Sequence, residues 1–129
     1  MPIPFPAAVP NSFPRQRELL WSKSERAIAR RAFDHALNQE LREVIQQAKR
    51  MAAEIKRASQ LWELEEYLTQ RRKEINRKYE YRASKLIFVL GVLLHEGRII
   101  EEDLRLLRED KLEAIRRDAD FLRRRDEPI

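Results

Sequence analysis

From Lys23 to Arg57 the chain runs for 35 residues without a proline or a glycine. Ser22 and Glu25 precede this run as an S-x-x-E pair, the pattern that satisfies unpaired backbone donors at a helix start. Apolar residues recur within it at Phe33, Leu37, Leu41, Val44, Ala48, Met51 and Ile55, alternating steps of four and three. Such a seam predicts one long amphipathic helix. At 1.5 Å per residue it would extend roughly 50 Å. A compact body of this chain length is only about 36 Å across. The helix must therefore project, and its apolar flank needs a cover. A second copy of the chain is the simplest one, so a symmetric dimer is expected.

The following stretch, QLWELEEYLTQRRKEINRKYEYR, carries a second stripe. Leu61, Leu64, Leu68, Ile75 and Tyr79 share one side of a helical wheel, and Ser59 is placed to restart or kink the chain ahead of it. The two stripes can pair as an antiparallel hairpin. LIFVLGVLL predicts an apolar third helix ended by Gly97 at a left-handed C-cap. GRIIEEDLRLL suggests a turn and a brief fourth helix with acidic residues near its start. EDKLEAIRRDADFL gives a fifth, with Leu112, Ile115, Ala119 and Leu122 on one side. The fold class is all-α: a long helical hairpin stalk with a small helical head, forming a symmetric dimer. The domain expected spans 22–124, with the stalk at about 22–80 and the head at about 81–124. Residues 1–21 form a disordered Pro-rich leader, which holds five of the six prolines, and 125–129 form a fraying tail.

Composition narrows the function. There is no cysteine, so no disulfide, thiolate zinc site or redox pair can form. Two glycines leave no phosphate-cradling loop. His35 and His95 are far apart and stand in no metal-ligand spacing, and no nucleophile stands beside a base. Neither catalytic residue, metal nor cofactor is expected. The leader lacks the basic and apolar regions of a secretory signal, and the longest apolar run is far short of a membrane span. The chain is expected to be soluble, with no membrane insertion.

The formal charge of +5 and the Arg30–Arg31 and Arg123–Arg125 clusters would suit nucleic acid, with steep salt dependence. Glutamates interleave with most of the basic residues, however, so a solvated helical surface explains them more simply and no nucleic acid is expected.

Two residues sit oddly on the second helix. Arg72 lies near the centre of the stripe, four residues after Leu68. Its stem can pack there while the guanidinium reaches the edge, or the fork can face a carboxylate of a partner. Trp62 lies about 100° off the stripe, with Glu65 and Glu66 close by. It can close the flank of the hairpin, or serve as an aromatic anchor on an exposed face. Phe88 by default belongs to the core of the third helix.

Leu61-Trp62-Glu63-Leu64 with Tyr67-Leu68, then Arg72, Glu74-Ile75, Lys78-Tyr79-Glu80-Tyr81-Arg82, Ile87-Phe88-Val89, Leu93-Leu94, Glu96-Gly97 and Asp110-Lys111 resemble the fluorescence recovery protein family of cyanobacteria. The resemblance runs from about Trp21 to Leu122. It implies an all-helical dimer that binds the orange carotenoid protein, mainly its C-terminal domain, after strong light has turned it red. Such a protein speeds the return to the orange form and ends energy quenching at the phycobilisome without a covalent step. Location would then be cytoplasmic, reaching the thylakoid surface only through the partner. The partner-binding residues implied are Trp62, Glu65, Glu66, Arg72, Phe88 and Lys111. The positions matching Leu61 and Trp62 belong to the dimer, whose interface is expected to use Leu37, Leu41, Val44, Leu61, Trp62, Leu64 and Leu68. Many members have a His-Asp pair where Glu65-Glu66 stand, and often a glycine at Arg77. A relative serving a different protein, in an organism without that carotenoid protein, is the alternative.

Overall fold

The computed structural model describes residues 20–126; the Pro-rich leader up to residue 19 and the last three residues lie outside the described part. Four α-helices and one 3-10 turn make up the described fold, which contains no strand. Helix α1 spans Lys23–Ala53, α2 Ala58–Lys78, α3 Ala83–Glu96 and α4 Glu109–Asp126, and the 3-10 turn spans Glu101–Leu104.

Helix α1 begins as its sequence dictates. The Glu25 amide donates to Ser22 Oγ at 3.1 Å, and the Ser22 amide donates to Glu25 Oε1 at 3.1 Å. The helix ends at Ala53 rather than near Arg57, at about 46 Å in length. The amides of Lys56 and Arg57 donate to Gln60 Oε1 at 2.7 and 3.0 Å. Gln60, not Ser59, therefore fixes the restart, by satisfying donors that a continuing α1 would have used internally.

Helix α2 returns antiparallel to α1. Arg71 reaches Glu40, and beyond the helix end the Tyr79 ring meets Phe33 edge-on at 5.4 Å. Of the α2 residues only Ile75 is buried. The outer hairpin is thin, and several apolar side chains there stay open to solvent. Leu41 is 40%, Ile45 52%, Leu61 45%, Leu68 40% and Trp62 61% exposed. Leu37, Val44 and Leu64 are half-buried.

The head packs α3 against α4 where Gly91 lets the helices approach. A Cβ added at Gly91 would stand 2.8 Å from Asp118 Cβ and 3.3 Å from the Ile115 carbonyl oxygen. Gly97 ends α3 at φ 78°, in the left-handed region anticipated for it. The expected fourth helix is the single 3-10 turn, whose start is capped by Asp103 Oδ2 accepting from the Ile100 amide at 2.9 Å. Leu112, Ile115 and Ala119 of α4 are buried.

The core is not confined to the residues after Tyr81. Ala29, Ala32, Phe33 and Ala36 of α1 lie in the same cluster as Leu86, Leu90, Leu93, Ile99 and Leu104. Three alanines on one face let α1 lie close to the head. Its first half is head and its second half is stalk.

Candidate protein-docking surface

Two faces of α2 must be told apart. Leu64, Tyr67, Arg71, Ile75 and Lys78 are half-buried or buried, and recur at steps of three and four. Leu61, Glu65, Leu68 and Arg72 recur at the same steps and are all exposed, with Trp62 and Glu66 exposed beside them. Every α2 residue nominated for partner contact thus lies on one outward strip. Of the dimer residues, Leu61, Trp62 and Leu68 share it, while Leu64 lies on the inner face.

Arg72 does not sit at the centre of the packed seam. It is exposed and forms no ion pair with the described residues. The arginine fork that does face a carboxylate is Arg71. Its Nη2 lies 2.8 Å from Glu40 Oε2 and its Nη1 2.5 Å from Glu74 Oε1. The two arginines are one residue, hence 100°, apart, and the register of α2 against α1 turns Arg71 inward.

Glu40 receives far more than one partner. Lys78 Nζ lies 2.8 Å from Oε1, Arg98 Nε 3.2 Å from Oε1, and the Tyr79 hydroxyl donates to Oε1 at 2.8 Å. Burial alone would raise the Glu40 pKa. The hydrogen bonds from Lys78, Arg71 and Tyr79, with the Lys78 charge, outweigh it and lower the pKa from an ordinary 4.5 to about 2. Burial first, then Glu40, push the Tyr79 phenol upward.

Because the folded pKa of Glu40 is depressed, its contribution is present above pH 4.5 and lost as the pH falls toward 2. The expected loss is about 3 kcal/mol. Urea unfolding at pH 6 and near pH 2 should show the parent losing that much more than Glu40→Gln. Equal losses in the two would contradict the assignment. Sequence reasoning missed Glu40, although a signal was present. It falls four residues after Ala36, where the Ala29–Ala32–Ala36 face would place its next core residue.

Lys111 is corrected by the structure. It is 1% exposed, with Nζ 3.2 Å from Glu25 Oε1 and 5.5 Å from the Trp21 ring centroid. Glu25, itself 3% exposed, also accepts from the Arg108 amide at 2.9 Å. Burial opposes ionisation of Glu25, but these hydrogen bonds and the Lys111 charge bring its pKa below the usual value. Lys111 therefore joins the first turns of α1 and α4 and does not face outward.

Phe88 goes the other way. Leu86, Val89, Leu90 and Leu93 of α3 are buried, while Phe88 is 51% exposed. With Val92 it walls an open cleft of about 680 Å³ that also holds Glu40, Arg71, Lys78 and Arg98. An exposed aromatic on the head thus accompanies the exposed tryptophan on the stalk. Among the described residues no helix is long and apolar enough to cross a membrane.

Comparison with known proteins places this surface in context. The family model described as photoprotection regulator fluorescence recovery protein matches residues 21–118. The fluorescence recovery protein of Synechocystis sp. is 35% identical over 99 residues, covering 77% of this chain and 91% of that protein. The solved fluorescence recovery proteins of Fremyella diplosiphon and Synechocystis sp. PCC 6803 superpose with a TM-score of 0.74 each, at 33% and 35% identity. Each covers 78% of this chain and 99% of its own.

Proposed function

Because the chain belongs to the fluorescence recovery protein family of photoprotection regulators, we propose that it binds the light-activated orange carotenoid protein, mainly through that protein's C-terminal domain, and hastens its return from the red to the orange form. Quenching at the phycobilisome then ends. No covalent step is involved. The protein acts by holding the converting state more tightly than the orange product, which is why it is released afterwards.

The observation that carries this reading is the outward strip of α2. Trp62 supplies a large apolar surface at low entropy cost, Arg72 an exposed guanidinium with no ion pair among the described residues, and Glu65 and Glu66 a charged rim. Phe88 adds a second anchor on the head. Dark recovery of a purified, photoconverted carotenoid protein tests the assignment. Arg72→Leu should keep the helix and slow the assisted recovery on the order of tenfold, the loss of one charge-assisted hydrogen bond. Equal recovery with parent and variant removes Arg72 from the surface.

The same reading includes a homodimer. Leu41, Leu61 and Leu68, at 40–45% exposure, with half-buried Leu37, Val44 and Leu64, leave an apolar flank along the stalk that a second copy would cover. Trp62 is shared between this seam and the partner strip. Leu61→Glu would place a carboxylate in the seam at a cost of several kcal/mol, on the order of an unpaired buried charge. Light scattering should then give the mass of one 15.5 kDa chain. An unchanged dimer refutes the seam.

A further inference from the structure

A helix with one buried residue has little apolar packing to define its orientation. That is the situation of α2, where Ile75 alone is buried. What holds α2 instead is directional. Arg71 and Lys78 both reach Glu40, which stands in the middle of α1 at 2% exposure. Tyr79, just past α2, donates to the same carboxylate, and Arg98, just past α3, reaches it from the head. Each of the three cations also meets outer carboxylates: Arg71 with Glu74 at 2.5 Å, Lys78 with Glu96 at 2.8 Å, and Arg98 with Glu43 at 3.0 Å and Glu96 at 3.3 Å. The result is one buried anion joined radially to the stalk and to the head. Charge-assisted hydrogen bonds of this kind fix angles as well as distances, which apolar contacts do not.

We propose that Glu40 is a positioning residue: it sets the angle of α2 to the head, so that the Trp62 strip and Phe88 are presented to one partner together. The cleft supports this. Phe88 lies on its wall and Glu40 is among its lining residues, so the hub is adjacent to one anchor and bonded to the helix that carries the other. The proposal rests on the reading of Trp62 and Phe88 as docking residues. Its structural half stands on the angle alone.

Two measurements test it. The chain has no cysteine, so spin labels can be placed uniquely through Ser59→Cys on α2 and Ser84→Cys on α3, both exposed positions. Labelled chains diluted into unlabelled protein report the intrachain distance. The parent should give one narrow distribution, and Glu40→Gln should broaden it at least about twofold with helix content unchanged. Glu40→Asp, which keeps the charge, should recover part of the narrowing. Tyr79→Phe serves as a milder variant should Glu40→Gln not fold, and it should broaden the distribution by a smaller amount. The second readout is a double-mutant cycle of Trp62→Ala and Phe88→Ala on assisted dark recovery. In the parent the two changes should be coupled severalfold, and in Glu40→Gln they should become independent. A distribution in a folded Glu40→Gln as narrow as in the parent, with only the melting temperature lowered, would reduce Glu40 to a stabilising group and overturn the proposal. Should the parent fail to speed recovery at all, the functional reading falls, and the distances alone decide whether Glu40 sets the angle.

Discussion

Gly91→Leu should unfold much of the head. At this position α3 and α4 approach so closely that even a methyl carbon would meet Asp118 Cβ at 2.8 Å and the Ile115 carbonyl at 3.3 Å. One of these neighbours is backbone and cannot rotate aside. A leucine would therefore force the helices apart and open the cluster around Leu90 and Leu93, both fully buried. Overpacking of a rigid contact costs about 3 kcal/mol or more, a large part of the margin of a domain this size. The thermal midpoint should fall by more than about 10 °C. An unaltered midpoint would mean that α3 and α4 do not cross at Gly91.

Lys111→Met should be nearly as damaging, although the substitution looks like a simple loss of charge. Lys111 and Glu25 are 1% and 3% exposed, and the ammonium is the one cation paired with that carboxylate among the described residues. Removing it leaves a buried anion held by the Ser22 and Arg108 amides alone. Breaking a buried pair from one side costs about 3–5 kcal/mol, mostly as the penalty of the orphaned charge. Urea unfolding followed by circular dichroism measures it. Glu25→Gln with Lys111→Met should restore part of the loss, because no charge is then left alone. If Lys111→Met leaves stability untouched yet weakens partner binding, Lys111 is a surface contact after all and the buried pairing is wrong.

These two residues also show where sequence reading stops. Ser22 and Glu25 announce the start of α1, and Gly97 announces the end of α3, because caps are written within a few residues. The buried face of α4 is legible for the same reason, being periodic over a short span. The pairing of Lys111 with Glu25 joins residues 86 apart. No local pattern carries it, and Lys111 read alone resembles any surface lysine. Arg71 and Arg72 show a subtler limit. Periodicity puts Arg72 near the centre of the α2 stripe, whereas the residue that turns inward is Arg71, drawn by Glu40 on another helix. The end of α1 was hidden likewise, because it is made by Gln60 reaching back and not by a proline or glycine. By contrast, Trp62, Glu65, Glu66 and Arg72 stand out in the sequence and family pattern, and all four are exposed on the outward side of α2.

The division of labour across α2 follows from these contacts. Its inner face is held by Arg71, Ile75 and Lys78, while the outer face with Trp62, Glu65, Glu66 and Arg72 stays exposed on the single chain. The proposed docking needs such a face, rigid in its support and open to solvent.

The most direct measurement is the dark return of a photoconverted orange carotenoid protein to its orange absorbance, with and without this protein at equal concentration. Acceleration by an order of magnitude or more, diminished in Arg72→Leu, is the expected result. Recovery at the unassisted rate, with the protein folded, would contradict the proposed function.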